Sequence, residues 1–535
     1  MRIIVVGSGP SGVHFALSVL RKGHDVTMLD VGYPKLAPMN PEDNFLALKG
    51  KLEDPVSYFL GSQYEAVIYP GAAGEYYGLP PQKGYVLTKP QSFSVQAREF
   101  SPLFSFARGG VAEAWTAGVY PFNDAELREF PFRYSDLEPY YSEVASRIGI
   151  CGLKDDLARF FPLHANIAEA LRLDQHSQHL LDRYEEQRQH LNRELRCYLG
   201  RSRIAVLSHD IEGRKACSYL GRCLWGCPRE ALYTPSVTLD HCCGYSNFKY
   251  VPDMYVTFFR YNASRHIVSV VAESLADGRN HEFSAEAFVL AAGALSSSRI
   301  FMESIFRGDG EVIKLGGLMD NRQILIPYVH LRMIGQSYDP ESYQYHQVAM
   351  GFETDNPEEY VHCQITTLKT ALLHPIIQRI PLDLQSAISV FRGIRAAMGV
   401  VNVNLHDSRR VENHVTLQVD STSARPRLMI QYSPPANEEQ RISDTMRKVK
   451  RALWRLGCVV PPGLVHVRPM GASVHYAGTL PMSREEARFT VTENCRSHDF
   501  HNLYIVDGST YPFLPAKNIT FTLMANAIRV ADNAF

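Results

Sequence analysis

The chain has 535 residues, of which 45% are hydrophobic and 21% are charged, a composition typical of a globular protein with a sizeable core. Its 55 Lys and Arg residues nearly balance its 56 Asp and Glu residues, so no excess charge indicates binding to nucleic acid or to an anionic membrane. No stretch approaches the roughly 18 uninterrupted apolar residues that a membrane-spanning helix needs.

The first thirty residues predict a βαβ unit. Residues 2–6 have the pattern of a buried strand, residues 10–22 that of a helix, and residues 25–30 that of a second strand. The N-terminus lacks the basic region and cleavage site of a signal peptide. We therefore expect a cytoplasmic protein, and export together with a partner that carries the signal is the alternative.

The turn between the first strand and the helix carries glycines at the spacing of a dinucleotide site. Gly7 allows the tight turn, Gly9 lets the backbone approach a pyrophosphate, and Gly12 lets the helix pack against the sheet. Asp30 ends the second strand, where a carboxylate accepts hydrogen bonds from ribose hydroxyls and repels a 2′-phosphate. The pattern predicts a site for FAD or NAD, and a turn used only for packing is the alternative.

The rest of the chain predicts further elements of both kinds. The first half predicts irregular connections over 34–108, a solvated helical excursion over 156–196, and strands with a strand–turn–helix over 251–291. Residues 318–432 predict a separate antiparallel sheet, which includes HVTLQVD and RLMIQY, and a helix near 383–398. A further helix is predicted over 438–457. The antiparallel sheet is the expected substrate face.

Two segments near the C-terminus carry candidate catalytic residues. GASVHYAGTLPM contains His475, and the strand NLYIVDGS ends at Asp507 and Gly508 before a helix that opens near Asn518. A neutral imidazole can take the proton of an alcohol, and an amide N–H can hold the same oxygen. The structural alternatives are a core histidine and an asparagine that caps the helix.

These segments resemble the C-terminal signature of the glucose–methanol–choline (GMC) oxidoreductases, which are FAD enzymes that oxidise alcohols. The resemblance rests on His475, Gly478–Thr479, Asp507–Gly508–Ser509 and Asn518. The segment ARGGVAEAWTAGVYPF resembles the family's flavin-side segment, and FPFRYSDLEPYYSEVASRIGICG resembles a linker of its sugar-oxidising branches. The chain is closest to the sugar dehydrogenase and pyranose oxidase-like branch.

The resemblance implies an α/β protein with the GMC fold, in which a Rossmann-like FAD-binding domain is interwoven with an antiparallel-sheet substrate-binding domain. We expect the FAD-binding domain over 1–317, with a helical insertion over about 156–210 and a cysteine loop over 217–228, the substrate-binding domain over 318–470, and a return to the FAD-binding domain over 471–535. The expected cofactor-binding residues are Gly7, Gly9, Gly12, Asp30, Gly109, Gly110, Trp115, Thr116, Asp507 and Gly508.

Three positions depart from the family pattern. Pro481 stands where an arginine is common, and Ile519 replaces a frequent proline after the asparagine. Ala114 stands where one branch has the histidine that is bonded to its flavin. The resemblance therefore implies that FAD is bound noncovalently.

The cysteine loop ACSYLGRCLWGCPREALYTP carries Cys217, Cys223 and Cys227. Its spacing resembles that in the flavin subunits of bacterial sugar dehydrogenases of the same family, which implies a 3Fe–4S cluster and a cytochrome partner. Buried free cysteines without a cluster are the alternative.

The function implied is oxidation of a hydroxyl of a sugar, amino sugar, cyclitol or glycoside to a carbonyl. His475 is the general base, Asn518 holds the alcohol oxygen, and hydride passes to flavin N5. No second Gly-rich nucleotide motif is present, so we expect electrons to leave to oxygen, a quinone, a cytochrome or a small acceptor. The alternatives are oxidation of a nonsugar alcohol or biosynthetic intermediate and, in another class, a flavin and iron–sulfur electron-transfer subunit.

Overall fold

The computed structural model describes residues 1–35, 42–67, 75, 77–419 and 425–535. The α-helices in these ranges are α1 (Pro10–Arg21), α2 (Phe45–Lys51), α3 (Pro55–Leu60), α4 (Tyr134–Ile148), α5 (Gln175–Glu194), α6 (Pro235–Cys243), α7 (Ala294–Asp309), α8 (His374–Ile377), α9 (Leu384–Ile394), α10 (Glu438–Arg455) and α11 (Thr520–Ala534).

The strands form six sheets in the described residues. They are β1 (Arg2–Val6), β2 (Asp25–Leu29), β3 (Val95–Arg98), β4 (Ile150–Cys151), β5 (Ile167–Ala168), β6 (Cys197–Arg201), β7 (Phe248–Val251), β8 (Met254–Tyr261), β9 (Ile267–Ser274), β10 (Asn280–Phe283), β11 (Ala287–Leu290), β12 (Lys314–Gly316), β13 (Arg322–His330), β14 (Val348–Phe352), β15 (Val361–Thr367), β16 (Met398–Leu405), β17 (Asp407–Ser408), β18 (His414–Gln418), β19 (Arg427–Gln431), β20 (Cys458–Val459), β21 (His466–Val467), β22 (Leu503–Ile505) and β23 (Phe513–Leu514).

A five-stranded parallel sheet holds the predicted βαβ unit. Its strand order is β22-β11-β1-β2-β7, and every adjacent pair runs parallel. The continuous apolar sequence of β1 fits a strand covered on both faces, and its last four residues are buried. The carboxyl ends of β1, β11 and β22 meet at one edge, which is where ligands bind in open parallel sheets.

The second large sheet is antiparallel and has two unlike faces. Its order is β20-β13-β16-β15-β14-β6, with β21 paired to β13. One face carries buried apolar residues such as Ile324, Val403 and Cys363, which form a core with residues of α5 and α10. Because side chains alternate along a strand, the opposite face presents the residues between them, among which are Gln364 and Asn402.

The antiparallel sheet differs from the expected one in its membership. HVTLQVD and RLMIQY, expected in the substrate sheet, supply β18 and β19 of a separate sheet with the order β12-β18-β19-β3. The substrate sheet instead takes an edge strand, β6, from residues outside the expected range. Alternation of apolar and polar residues identifies a strand but not its partners, which are set by distant parts of the chain.

The expected helical excursion over 156–196 is helical from Gln175 to Glu194. Leu180, Tyr184 and Leu191 on this helix are buried against the antiparallel sheet. This helix therefore packs one of its faces against the antiparallel sheet and is not a fully solvated excursion. In the described ranges, no helix is both long and apolar enough to cross a bilayer.

Candidate active site

A cavity of about 500 Å³ connects the glycine turn after β1 with the two C-terminal candidate residues. Gly9 and Asp30 lie along it towards the parallel sheet, and His475 and Asn518 line it where it meets the antiparallel sheet. Its volume is in the range of small-molecule and cofactor sites. The fold thus joins the predicted nucleotide site and the predicted reaction centre in one space.

The glycine turn leaves room for a ligand at one glycine and none at the other two. Gly7 has φ of +99°, and a Cβ there would lie 2.7 Å from the carbonyl oxygen of Ala291. A Cβ at Gly12 would overlap the carbonyl oxygen of Gly7. At Gly9, which precedes helix α1, the nearest atom to a Cβ is 3.9 Å away, so its backbone faces open space. This is the arrangement that a pyrophosphate at a helix N-terminus needs.

Asp30 lies at the end of β2 with part of its carboxylate already engaged. Its Oδ2 accepts hydrogen bonds from the Ser8 hydroxyl and from the Tyr250 hydroxyl, the latter at 3.1 Å. Burial raises the pKa of Asp30 to about 6, and these hydrogen bonds oppose that rise. The two donors hold the carboxylate in place and leave Oδ1 for a ligand hydroxyl.

The Gly109–Gly110 turn lies against the glycine turn after β1. Both glycines have positive φ, and a Cβ at Gly110 would lie 3.5 Å from the Cα of Gly9. Trp115 donates from its indole nitrogen to the carbonyl oxygen of Tyr233 at 2.7 Å, and Trp115 and Thr116 both line the cavity. Ala114 also lines it, and its methyl group offers no atom for a bond to a flavin.

Asp507 has a structural role in addition to its place on the cavity wall. Its Oδ2 accepts from the Ser297 hydroxyl at 2.5 Å and from the Gly293 amide at 3.0 Å, which ties the end of β22 to the turn before α7. Its Oδ1 accepts from the amide and hydroxyl of Ser509. The backbone of Gly508, which also lines the cavity, remains for contact with a cofactor.

His475 is held in one tautomer by Asn321, a residue that sequence reasoning did not identify. The Asn321 amide nitrogen donates to the carbonyl oxygens of Leu405 and Pro515, each at 2.9 Å, which fixes the orientation of the amide. Its Oδ1 therefore accepts from Nδ1 of His475, 2.8 Å away. With the proton on Nδ1, the lone pair of Nε2 is available on the cavity side.

The backbone before His475 is strained. Val474 has φ of +65°, a region that β-branched residues rarely adopt. The turn is fixed by Asp320, whose carboxylate accepts from the Gly471 amide at 2.7 Å and from the Ser473 hydroxyl. Strain of this kind is typical of functional sites and persists here because the turn is held at several points.

Asn518 points towards His475 and does not cap helix α11. The cap residue is Ile519, and no side chain caps the helix. The Asn518 Oδ1 instead accepts from Nε2 of Gln364 at 2.6 Å. This contact turns its amide nitrogen towards Nε2 of His475, 3.5 Å away. The capping alternative is therefore wrong.

Burial keeps His475 neutral. Burial, with a smaller contribution in the same direction from the positive charge of Arg468, lowers the pKa of His475 to about 4. Arg468 lines the cavity and donates to Glu75 at 2.6 Å and to Gln323 at 2.6 Å. At neutral pH the imidazole is thus a proton acceptor facing an amide donor, an arrangement suited to deprotonating a hydroxyl.

The described structure gives no support for the expected iron–sulfur cluster at the cysteine loop. Cys217, Cys223 and Cys227 are all partly buried, and burial raises the pKa of Cys217 to about 11 and also raises that of Cys223. Within the part of the chain that the structure describes, no three His, Cys, Asp or Glu side chains form a group able to hold a metal.

The sequence predicts His475 and Asn518, which the structure brings together, but it does not predict the residues that orient them. Asn321 and Gln364 lie in or beside strands of the antiparallel sheet, far in sequence from the C-terminal signature. The available signal was the recurrence of amide side chains at alternate positions of otherwise apolar strands. No local motif connects these amides with His475 or Asn518.

Comparison with known proteins gives concordant results. Residues 409–527 match the GMC oxidoreductase family model. Paromamine 6′-oxidase of Streptomyces fradiae is 22% identical, over 99% of this chain and 90% of the relative. The 6‴-hydroxyparomomycin C oxidase of Streptomyces lividus is 29% identical over 24% of this chain and 23% of its own length.

The fold is shared with solved oxidoreductases. Pyridoxine 4-oxidase from Mesorbium loti superposes with a TM-score of 0.60 at 14% identity, over 99% of this chain and 98% of that one. An FAD-dependent oxidoreductase from Chaetomium thermophilum gives a TM-score of 0.57 at 13% identity with the same coverage. The chain is thus similar to FAD-dependent oxidoreductases of the GMC type, and its residues 409–527 match that family's model.

Proposed function

We propose that this enzyme oxidises a hydroxyl of a carbohydrate, namely a sugar, amino sugar, cyclitol or glycoside, to a carbonyl. The observation that carries the proposal is the pair formed by His475 and Asn518. The unprotonated Nε2 of the histidine and the amide nitrogen of the asparagine lie 3.5 Å apart on a cavity that continues to the nucleotide turn.

The chain's own residues handle the hydroxyl proton and the alcohol oxygen. Nε2 of His475 accepts the proton, and the amide of Asn518 donates to the same oxygen as negative charge develops on it. Bound FAD supplies the acceptor for the hydride. Asn321 and Gln364 hold the two side chains in this relation, so little reorganisation is needed during the reaction.

The relatives and the cavity wall support a carbohydrate substrate. The two Streptomyces relatives oxidise hydroxyls of aminoglycosides. The antiparallel sheet presents Gln323, Gln364 and Asn402 to the cavity, and amides can both donate to and accept from hydroxyls.

We further propose that FAD is bound noncovalently by the turns at Gly9, Gly110 and Gly508, with Asp30 at its ribose. Ala114 on the cavity wall supports this, because it cannot bond to a flavin. No step is assigned to an iron–sulfur cluster. Oxygen or an electron-acceptor protein such as a cytochrome remains the predicted destination of the electrons.

Anaerobic mixing of the FAD-loaded enzyme with a carbohydrate panel tests the function. We expect at least one of D-glucose, methyl α-D-glucopyranoside, myo-inositol and paromamine to bleach the flavin absorbance. His475→Ala should slow that bleaching by roughly 10²–10⁴-fold, the usual contribution of a general base.

The matched control is His501→Ala, which removes an exposed histidine outside the cavity lining. This variant should retain the rate of the wild type. If His475→Ala bleaches as fast as His501→Ala, the proposed base is wrong. If the flavin is reduced by monohydric alcohols but by no carbohydrate, the proposed substrate class is wrong.

A further inference from the structure

The face of the antiparallel sheet that meets the cavity carries amides on three neighbouring strands. Gln364 on β15 is paired across the strands with Asn402 on β16. On the other side of β16, Asn402 is paired with Leu325, and Asn404 is paired with Gln323. These residues share one face because strand side chains alternate.

All but one of the cavity-lining amides on this face are already committed to protein partners. Gln364 donates to Asn518 at 2.6 Å. Gln323 donates to Asn404 at 2.8 Å and accepts from Arg468 at 2.6 Å. Their orientations are therefore fixed by the fold.

Asn402 differs from its neighbours. Its Oδ1 is shielded from solvent and has no hydrogen-bond partner, and its Nδ2 makes no hydrogen bond to any described residue. A shielded amide oxygen without a partner is unfavourable, so native proteins satisfy nearly all such groups. Its position on the cavity wall offers it a ligand as its partner.

The position of Asn402 brings it close to the reaction centre. Directly opposed residues of an antiparallel pair have Cβ atoms about 4.5–5.5 Å apart, and Asn402 is opposed to Gln364, which touches Asn518. Asn402 is therefore within reach of a substrate whose reacting hydroxyl lies between His475 and Asn518.

The charges nearby indicate an uncharged occupant. Among the described residues of the cavity wall, Asp30 and Asp507 belong to the nucleotide end. Arg299 is paired with Glu303 at 2.7 Å, and Arg468 is paired with a buried glutamate. The described part of the cavity wall thus leaves no unpaired charge beside Asn402 to select an ammonium or a carboxylate.

We infer that Asn402 is a substrate-binding residue whose amide exchanges hydrogen bonds with a second, uncharged hydroxyl of the carbohydrate. The inference rests on the proposed function and adds a specificity determinant to it. It predicts that a polyol is bound better than a monohydric alcohol.

The test compares the anaerobic flavin reduction of the holoenzyme by polyols and by benzyl alcohol, which has a single hydroxyl. Asn402→Ala should lower kcat/KM for the best polyol of the panel by roughly 5–10-fold, as expected for one lost hydrogen bond, and leave the value for benzyl alcohol unchanged. Leu325→Ala, on the opposed position of β13, is the matched control and should change both values alike.

The melting temperature distinguishes a substrate-binding role of Asn402 from a role in the stability of the fold. Asn402→Ala breaks no hydrogen bond within the protein, so its Tm should not fall below that of Leu325→Ala. A lower Tm, an equal loss of activity with polyol and benzyl alcohol, or no loss with the polyol overturns the inference while the proposed function stands. A wild-type flavin that no carbohydrate reduces overturns the proposed function and the inference together.

Discussion

The charge state of His475, the proposed base, should determine over which pH range the enzyme can act. As a base it must be neutral, and burial lowers its pKa to about 4, so it is almost fully neutral above about pH 5. We expect the acid limb of kcat/KM that belongs to His475 to lie near pH 4, with a tenfold loss per pH unit below it. A pH profile of anaerobic flavin reduction measures this limb.

Replacing Arg468 tests whether the acid limb of the pH profile belongs to His475. Its positive charge opposes protonation of His475, so Arg468→Met should move the limb towards higher pH. Arg488→Met removes an exposed charge elsewhere and should leave the limb in place. A wild-type limb at pH 6.5, or a shift towards lower pH in Arg468→Met, would show that burial does not control this histidine.

The sequence is informative about single residues where a local pattern carries the chemistry. His475 and Asn518 stand in short signatures, and the structure brings the two together. Asn321 and Gln364 have no signature, because their importance comes from contacts across 154 positions of sequence in each case. Such contacts depend on the packing of two sheets, which no short window of sequence encodes.

At the scale of elements, the segment between β23 and α11 is fixed from three directions. The carbonyl oxygen of Pro515 accepts from Asn321 at 2.9 Å, and the side chain of Asn518 accepts from Gln364 at 2.6 Å. Between them, Nζ of Lys517 donates to Glu126 at 2.5 Å and to the carbonyl oxygen of Phe160 at 2.7 Å. Because Pro515 and Lys517 are held in place by these contacts, the segment places the side chain of Asn518 on the cavity wall.

The Lys517 and Glu126 pair makes this anchoring testable. Both side chains are fully buried. Burial lowers the pKa of Lys517 to about 8 and raises that of Glu126, and the contact between them opposes both shifts. Lys517→Met leaves a buried carboxylate unpaired, which should cost about 3–5 kcal/mol and lower the midpoint of urea unfolding.

The double variant Lys517→Met with Glu126→Gln is the control for this prediction. It removes the unpaired charge and should recover part of the lost stability, although the anchor beside Asn518 stays absent. We therefore expect its kcat/KM to remain below that of the wild type. A double variant that is no more stable than Lys517→Met would show that the ion pair does not account for the loss.

Elements were predicted better than their arrangement. The β1–α1–β2 unit follows from glycines and an apolar strand, both local signals. The strands β18 and β19 were recognised as strands but assigned to the wrong sheet, since the pairing of β19 with β3 spans more than 300 residues. The sequence of a strand shows which of its faces is apolar, whereas the strands that pair with it depend on the packing of the whole fold.

At the scale of the whole molecule, the cavity draws its walls from distant parts of the chain. The N-terminal turn at Gly7, the turn at Gly293, the strands of the antiparallel sheet and the C-terminal residues Gly508 and Asn518 all contribute. A ligand that fills this space contacts both large sheets. Its binding free energy therefore adds to the stability of the whole fold rather than to that of one domain.

Removal of FAD should accordingly destabilise the entire enzyme. With the cofactor at 100 times its dissociation constant, binding contributes about 2.7 kcal/mol, so the apoenzyme should melt at a lower temperature and recover its Tm when FAD is returned. Because Ala114 offers no bond to a flavin, acid precipitation should release all FAD into the supernatant, and a denaturing gel should show no fluorescent protein band. Flavin that stays with the precipitated chain would require a covalent link at another residue. An apoenzyme that melts at the holoenzyme's temperature would mean that the two sheets are held together without the cofactor.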